Sequence, residues 1–288
     1  MAQNKIDLTE IRRTAITALF SDELLTESLV LKGGNALNLV YGITSRSSID
    51  LDFGMRQDFP DFEDAKSRLF LALHNRFDAI GYTVFDEVFE KCPQLKGSDE
   101  KPWWGGYLIS FKLIDRQKYQ SLKNDNKKLR DHSLALGSGG RRQFKIDLSK
   151  YEYTEGKVEH EMNSFTIYVY TPEMIAIEKI RAICQQMNEY PHTGNKKPRA
   201  RDFYDIYQVV TTRGIDLQTK ENQTLLQHVF EAKQVPLLLL ANMPLQREFH
   251  RTDWPSVIAA TDGELRDFDF FFDFVWHEVE QLKTLWME

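Results

Sequence analysis

Two aspartates stand two residues apart in Ile49-Asp50-Leu51-Asp52-Phe53, alternating with apolar residues, so both carboxylates fall on one face of a predicted strand. A third, Asp147, lies in another apolar run, Phe144-Lys145-Ile146-Asp147-Leu148. Hard oxygen ligands of this kind suit Mg²⁺, which takes one or two carboxylates and leaves its remaining positions to water and phosphate oxygens. Upstream, Gly33-Gly34 opens a helical pattern through Ala36, Leu37 and Val40. A glycine pair at a helix start lets backbone N–H groups approach a phosphate at the positive end of the helix dipole. Ser48 can donate a hydrogen bond to the same phosphates and Arg46 can neutralise them. Alone, the glycine pair reads as a turn and the Asp-x-Asp as a solvated edge. Together, and with a third carboxylate among apolar neighbours, they read as a nucleoside triphosphate site, because such carboxylates cost roughly several kcal/mol without a cation.

The elements that must hold these residues follow from periodicity. Leu8, Ile11, Ala15, Ile16, Leu19 and Phe20 predict a helix over 8–20, and Leu29-Val30-Leu31-Lys32 predicts a strand before the glycines. Phe62, Ala65, Leu69, Leu73 and Phe77 predict a helix over 61–80, with Gly81 at its end. Strand-like runs follow at 82–88, 105–114, 143–148 and 165–170, and the polar, lysine-rich stretch 115–140 reads as a long loop. From Thr171-Pro172-Glu173 the pattern turns helical, with Thr171 as N-cap, Pro172 in the first turn and Met174, Ile175, Ile177, Ile180 and Ile183 marking a helix to about Met187. Further helices are predicted at 200–212, ended by Gly214, and near 266–286. The fold class is therefore α+β. A mixed sheet with flanking helices occupies 1–170 and a helical domain 171–288.

With 288 residues, the chain is long enough for two domains with a real core. Its two cysteines, Cys92 and Cys184, rule out a disulfide scaffold and point to a reducing compartment. Seven histidines without HxH or HxxxH spacing argue against zinc. No run of 18 apolar residues and no secretory h-region is present, so the expected location is the cytoplasm, without membrane contact. The formal net charge of -6 argues against coating polyanions non-specifically, yet basic residues concentrate locally. Nine lie between Arg116 and Lys145 against two acids, and Lys196, Lys197, Arg199 and Arg201 form a second group. Trp103, Trp104 and Tyr119 nearby could stack on unpaired bases. The run Phe268-Asp269-Phe270-Phe271-Phe272-Asp273-Phe274 reads as core.

Lys32-Gly33-Gly34-Asn35-Ala36-Leu37, Arg46-Ser47-Ser48-Ile49-Asp50-Leu51-Asp52, Ile177-Glu178-Lys179-Ile180 and Arg201-Asp202-Phe203-Tyr204-Asp205-Ile206-Tyr207 resemble the four motifs of the AbiEii/AbiGii nucleotidyltransferase toxins, relatives of the MenT toxins in the DNA polymerase β-like superfamily. The resemblance implies a nucleotidyltransferase-like sheet and a toxin of a toxin–antitoxin pair. It implies Mg²⁺-dependent transfer of a nucleoside monophosphate from an NTP to an RNA acceptor, the tRNA 3′ end, with loss of pyrophosphate. Gly33, Gly34 and Ser48 then grip phosphates with help from Arg46, and Asp50 and Asp52, joined by Asp147, hold metal. Lys179 reaches the triphosphate from beside an apolar helix stripe, and Asp202 is the candidate base. Asn35 stands where Thr or Ser is common and removes one phosphate hydrogen bond. A cognate antitoxin is the implied partner. Two rivals keep the nucleotide site: an enzyme that modifies a protein or small molecule, and a non-catalytic nucleotide-binding module.

Overall fold

The computed structural model describes residues 7–43, 50–94, 101, 103–136, 140–261 and 263–287. The chain divides into two units, Met1–Asn35 with Ser48–Val169, and Ala36–Ser47 with Tyr170–Glu288. The second unit thus takes a short early segment in addition to everything after the last strand.

In the first unit, helix α1 (Leu8–Leu19) buries Ile11, Ala15, Ile16, Ala18 and Leu19, and its second half is enclosed on all sides. Helix α2 (Glu23–Ser28) starts where Asp22 accepts the Leu25 N–H at 3.1 Å. Strand β1 (Val30–Lys32), the single turn α3 (Gly33–Asn35) and strand β2 (Leu51–Gly54) carry the glycine and aspartate motifs. Helix α4 (Phe62–Ala79), capped by Asp61, packs beside α1 and turns Leu69, Leu73 and Phe77 inward. Strands β3 (Tyr82–Cys92) and β4 (Gly106–Asp115) form an antiparallel pair. Two short helices follow, α5 (Arg116–Leu122) and α6 (Asn126–Asp131), then strands β5 (Phe144–Ser149), β6 (Val158–Met162) and β7 (Phe165–Val169).

The seven strands form one mixed sheet in the order β3-β4-β5-β2-β1-β7-β6. β1 pairs parallel with β7 and β2 parallel with β5, while the other neighbours run antiparallel. Alternation sorts its residues. Leu51 pairs with Ile146 and Phe53 with Leu148, all four buried, while Asp52 pairs with Asp147 on one side and Lys32 on the other. The acidic residues therefore lie on the face opposite the one that packs Phe53 against Phe20 of the α1 segment.

The second unit is helical. The early segment contributes a π-helical turn, Ala36–Val40, and the Tyr41 hydroxyl donates to the Tyr170 carbonyl at 2.8 Å. Helix α7 (Pro172–Cys184) is capped by Thr171, and ten of its thirteen residues are buried, so it is the central helix of this unit. Helix α8 (Ala200–Arg213) ends at Gly214, whose φ of 61° supplies the left-handed residue that closes a helix. Helix α9 (Lys220–Glu231), a 3₁₀ stretch Leu237–Gln246, and helices α10 (Arg247–Arg251), α11 (Trp254–Ala259) and α12 (Phe268–Glu280) complete it. Phe268 and Phe272 pack on Phe203, and Phe271 packs on Tyr204, so the aromatic run is core as expected. Among the described residues no helix is long and apolar enough to cross a membrane.

Several elements depart from the sequence reading. The stretch 115–140 holds two helices, because Asp115 and Asp125 cap them by accepting the Lys118 and Lys128 N–H groups. The expected helix after the glycines is one α turn continuing into a π turn. β6, Val-Glu-His-Glu-Met, was not expected, since an exposed edge strand with a polar outer face shows no apolar alternation.

Candidate active site

Gly33 adopts φ 69°, and a Cβ built on it would lie 2.6 Å from Asp52 Oδ2. The glycine is required twice over, for its left-handed backbone and for the closeness of the carboxylate. Asp52 and Asp147 stand in register on adjacent parallel strands, and Asp50 is two residues ahead of Asp52. Burial first, then the charge of Asp50, raises the Asp147 pKa above its ordinary value, against the pull of Lys145, Lys32 and Arg141. Lost hydration comes first and like charge second, and a bound cation offsets both.

The carboxylates do not all turn to one point. Asp50 is held by Arg141, whose Nη1 donates to Oδ2 at 3.2 Å and whose Nη2 donates to Oδ1. Among the described residues no three acidic, histidine or cysteine side chains have the spacing of a closed metal cluster. The donor chemistry nonetheless fits Mg²⁺, which needs only one or two carboxylates when phosphate oxygens and water complete its shell. Asp52 and Asp147 thus stand side by side in register, and Asp50, whose charge reaches Asp147, is engaged by Arg141. Arg46 and Ser48 lie outside the described residues.

Asn35 has a use that its position in the motif does not reveal. Fully buried, it donates from Nδ2 to the Asp50 carbonyl at 2.6 Å and accepts from Arg12 Nη1 at 3.2 Å. The side chain thus ties the glycine turn to the start of β2 and is itself held by α1. Lys32, in register with Asp52, is paired with buried Glu152 at 3.4 Å. Sequence reasoning missed Arg12 and Glu152, and counted Arg141 only as part of a basic stretch, because each pairing spans many residues.

In the second unit Lys179 is 5% exposed, and its ammonium lies 2.7 Å from Asp202 and 2.8 Å from Asp205. Burial opposes its charge, but the two carboxylates outweigh burial and hold its pKa above the ordinary value. Asp202 also accepts from Arg199 Nε. Burial would raise the Asp202 pKa, yet the charges and hydrogen bonds of Arg199 and Lys179 drive it well below the carboxylate range. A general base works best with a pKa near the operating pH. These surroundings suit Asp202 to holding Lys179 in place and do not favour the expected role of proton acceptor.

His250 supports that arrangement from behind. Its Nδ1 accepts the Arg199 backbone N–H at 3.0 Å, at the N-terminus of α8, while Nε2 is buried with no partner among the described residues. Burial, partly offset by Asp202, pushes its pKa down to about 4. An imidazole held neutral in the fold but titrating near 6.5 when unfolded binds its proton preferentially in the unfolded state. Its contribution is complete above pH 6.5 and is lost as pH falls toward 4, by up to about 3 kcal/mol. Asp202, with its pKa lowered, adds a loss of the same sign only below the unfolded carboxylate value. Urea midpoints should fall between pH 7 and pH 4.5 in the wild type and much less in His250→Gln, which keeps an acceptor and does not titrate. Equal slopes in both proteins would reject this assignment.

The basic stretches are partly spent inside the fold. Arg116 pairs with Asp78, Lys128 with Asp125, and Arg130 with Asp86, while Arg142 donates to the Ser133 carbonyl. Lys196 donates to the Gln185 and Tyr190 carbonyls. Tyr119 packs on Phe85. Lys118, Lys123 and Lys127 remain exposed on and around α5 and α6.

A search of curated proteins finds no match. Among solved structures the chain is similar to JHP933 from Helicobacter pylori, at 17% identity and a TM-score of 0.47, covering 99% of this chain and 94% of that one. It is also similar to an antigenic nucleotidyltransferase-like protein from Paracoccidioides brasiliensis, at 15% identity and a TM-score of 0.37, covering 82% and 94%. The model of one family, described as nucleotidyl transferase AbiEii toxin of type IV toxin–antitoxin systems, matches residues 14–274. With that match spanning most of its length, the chain belongs to the AbiEii nucleotidyltransferase toxins.

Proposed function

We propose that the protein transfers a nucleoside monophosphate from an NTP to an RNA hydroxyl, the 3′ end of tRNA being the acceptor, and that Mg²⁺ is its metal. The observation that supports this most directly is the contact between the Gly33 turn and Asp52, with Asp147 in register beside it. Backbone able to approach a phosphate and carboxylates able to hold a divalent ion are then one piece of structure.

Asp50, Asp52 and Asp147 would hold Mg²⁺, which supplies charge stabilisation to the phosphoryl oxygens when bound. Gly33 and Gly34 admit the phosphates, with Ser48 and Arg46 assigned to the same phosphates. Lys179, kept protonated by Asp202 and Asp205, is assigned to the triphosphate. In the reaction the acceptor oxygen forms a bond to the α-phosphorus, the bond between that phosphorus and the bridging oxygen to the β-phosphorus breaks, and pyrophosphate leaves with the electron pair. The hydroxyl proton passes to solvent, since Asp202 is a poor acceptor and phosphoryl transfer draws mainly on positioning and charge. Exposed Lys118, Lys123 and Lys127 offer contacts to RNA backbone, which predicts binding that weakens as salt rises. An antitoxin would restrain the enzyme in the cytoplasm.

The test incubates purified protein with Mg²⁺, total tRNA and each α-³²P-labelled NTP in turn, beside Asp52→Asn. Label should appear on tRNA and fall on the order of 10³-fold in the variant, the scale of about 4 kcal/mol of lost charge stabilisation. Label on protein instead of RNA would select protein modification. Label nowhere, with NTP bound, would select a non-catalytic module.

A further inference from the structure

One end of the sheet carries a cavity of about 270 Å³ that the transfer chemistry does not use. Asp58, Lys91, Lys101, Trp104, Lys150 and Tyr151 line it, all in the first unit. Lys91 lies near the end of β3, Lys150 directly follows β5, and Trp104 precedes β4, so three adjacent strands converge there. Lys150 comes three residues after Asp147, about 10 Å along a strand. The cavity also lies toward the other face. Lys150 sits 5.1 Å from the ring of Tyr107, and Tyr107 pairs with Leu148 and stacks on Phe89 and Phe59. Asp147 points away from that aromatic layer. The cavity is thus separate from the carboxylate pair.

Its floor is built, not incidental. Lys150 donates to Asp58 at 2.7 Å, and the Tyr107 hydroxyl donates to the same carboxylate. Among the described residues of its lining, two rings, Trp104 and Tyr151, stand beside the ammonium groups of Lys91, Lys101 and Lys150 and the carboxylate of Asp58. Trp103 stands edge-on to Trp104 at 5.9 Å, and Lys101 lies over the Trp103 ring at 5.6 Å. Rings that offer a π-face next to ammonium groups match a base joined to a phosphate. Ligand cavities usually run to roughly 300–1,000 Å³, so this one admits a single unit and not a folded polymer.

We propose that this cavity is a second nucleotide site, taking one nucleoside phosphate with its phosphate on Lys91 and Lys101 and its base against Trp104 and Tyr151. The unit comes either as a free mononucleotide or as one residue of a single RNA strand. The site stands independently of the transfer reading.

The test measures binding of AMP and of a fluorescein-labelled pentauridylate to the full-length protein in EDTA, where the metal-dependent site is silenced. The variants are Lys91→Glu/Lys101→Glu, Trp104→Ala and Trp104→Phe, with Asp52→Asn as the control for the first site and circular dichroism to confirm folding. The paired charge reversal and Trp104→Ala should each weaken binding at least tenfold, Trp104→Phe should restore most of it, and Asp52→Asn should bind as wild type. Each lysine lost from a strand-binding site should also reduce the salt slope by about 0.7. AMP binding as tight as the oligonucleotide identifies a free-nucleotide site, and oligonucleotide binding alone identifies an RNA-strand site. Binding unchanged in all folded cavity variants, or lost in Asp52→Asn, overturns the proposal while leaving the tRNA-labelling result untouched.

Discussion

Lys179→Met is expected to cost about 3–5 kcal/mol of folding stability, the scale of breaking a buried ion pair from one side, and to abolish nucleotide transfer. The ammonium is enclosed at 2.7 Å from Asp202 and 2.8 Å from Asp205, and Asp205 is 0% exposed. Removing the lysine keeps both carboxylates and deletes the charge between them. Asp202 retains Arg199, and Asp205 loses the ammonium that lies 2.8 Å from it. The double variant Lys179→Met/Asp205→Asn should therefore recover about 2 kcal/mol relative to Lys179→Met, within the range of coupling between contacting residues. Activity should not return with stability, because the charge assigned to the triphosphate is still missing. Urea midpoints for the wild type, Lys179→Met, Asp205→Asn and the double variant form a closed cycle. Additive losses would show that the lysine and Asp205 act independently, against the geometry. Activity restored in the double variant would show that Lys179 serves only the fold.

The same triad shows what the sequence could and could not reveal. Helical periodicity places Lys179 beside the stripe Ile175, Ile177, Ile180 and Ile183, and places Asp202 and Asp205 on the following helix, all of which the structure keeps. What periodicity cannot supply is the rotation of α7 against α8 that brings the lysine between the two acids, or the arrival of His250 from α10 behind Arg199. In the first unit, alternation from Ile49 to Phe53 puts Asp50 and Asp52 on one face of their strand, and the run Phe144 to Leu148 sets Asp147 among apolar neighbours on another. That Asp52 and Asp147 share a face, in register, depends on the parallel contact of β2 with β5, two strands far apart in the chain. Arg141 escapes notice for a related reason. In a list of basic residues it looks like its neighbours Arg142 and Lys145, and only folding sets its guanidinium on Asp50. Asn35 reads as a lost hydroxyl in the motif, yet its amide is the tie between the glycine turn and the Asp50 backbone. Composition foretold an excess of exposed base around α5 and α6, but much of it is spent locally on Asp78, Asp86 and Asp125.

Gly33→Val should leave the protein folded and reduce transfer by about 10² or more, with nucleotide affinity falling in step. Two costs act at one atom. At φ 69° a side chain with a Cβ meets the left-handed penalty of about 1–2 kcal/mol, which is raised further by branching at Cβ. The added carbon also lands 2.6 Å from Asp52 Oδ2 and 3.2 Å from Asp52 Cβ, so either the turn or the carboxylate must move. Asp52 stands on β2 between β1 and β5, and its backbone is fixed by pairing on both sides. Either the Asp52 carboxylate swings off its place or the turn shifts, carrying the Gly34 and Asn35 backbone with it, and each displaces a positioning group. A displacement of about 1 Å at a positioning group is enough for a hundredfold loss. Gly33→Ala meets the same collision without the branching and should fall between wild type and Gly33→Val. The control is Gly42→Ala, at φ 62° but with nothing within 4 Å of an added Cβ, which pays only the backbone cost and should keep its activity. If Gly33→Ala and Gly42→Ala lose equally little, the closeness of the glycine turn to Asp52 has no part in catalysis. If Gly33→Val instead unfolds the chain, a thermal midpoint will show it, and the Gly33→Ala comparison still decides the point.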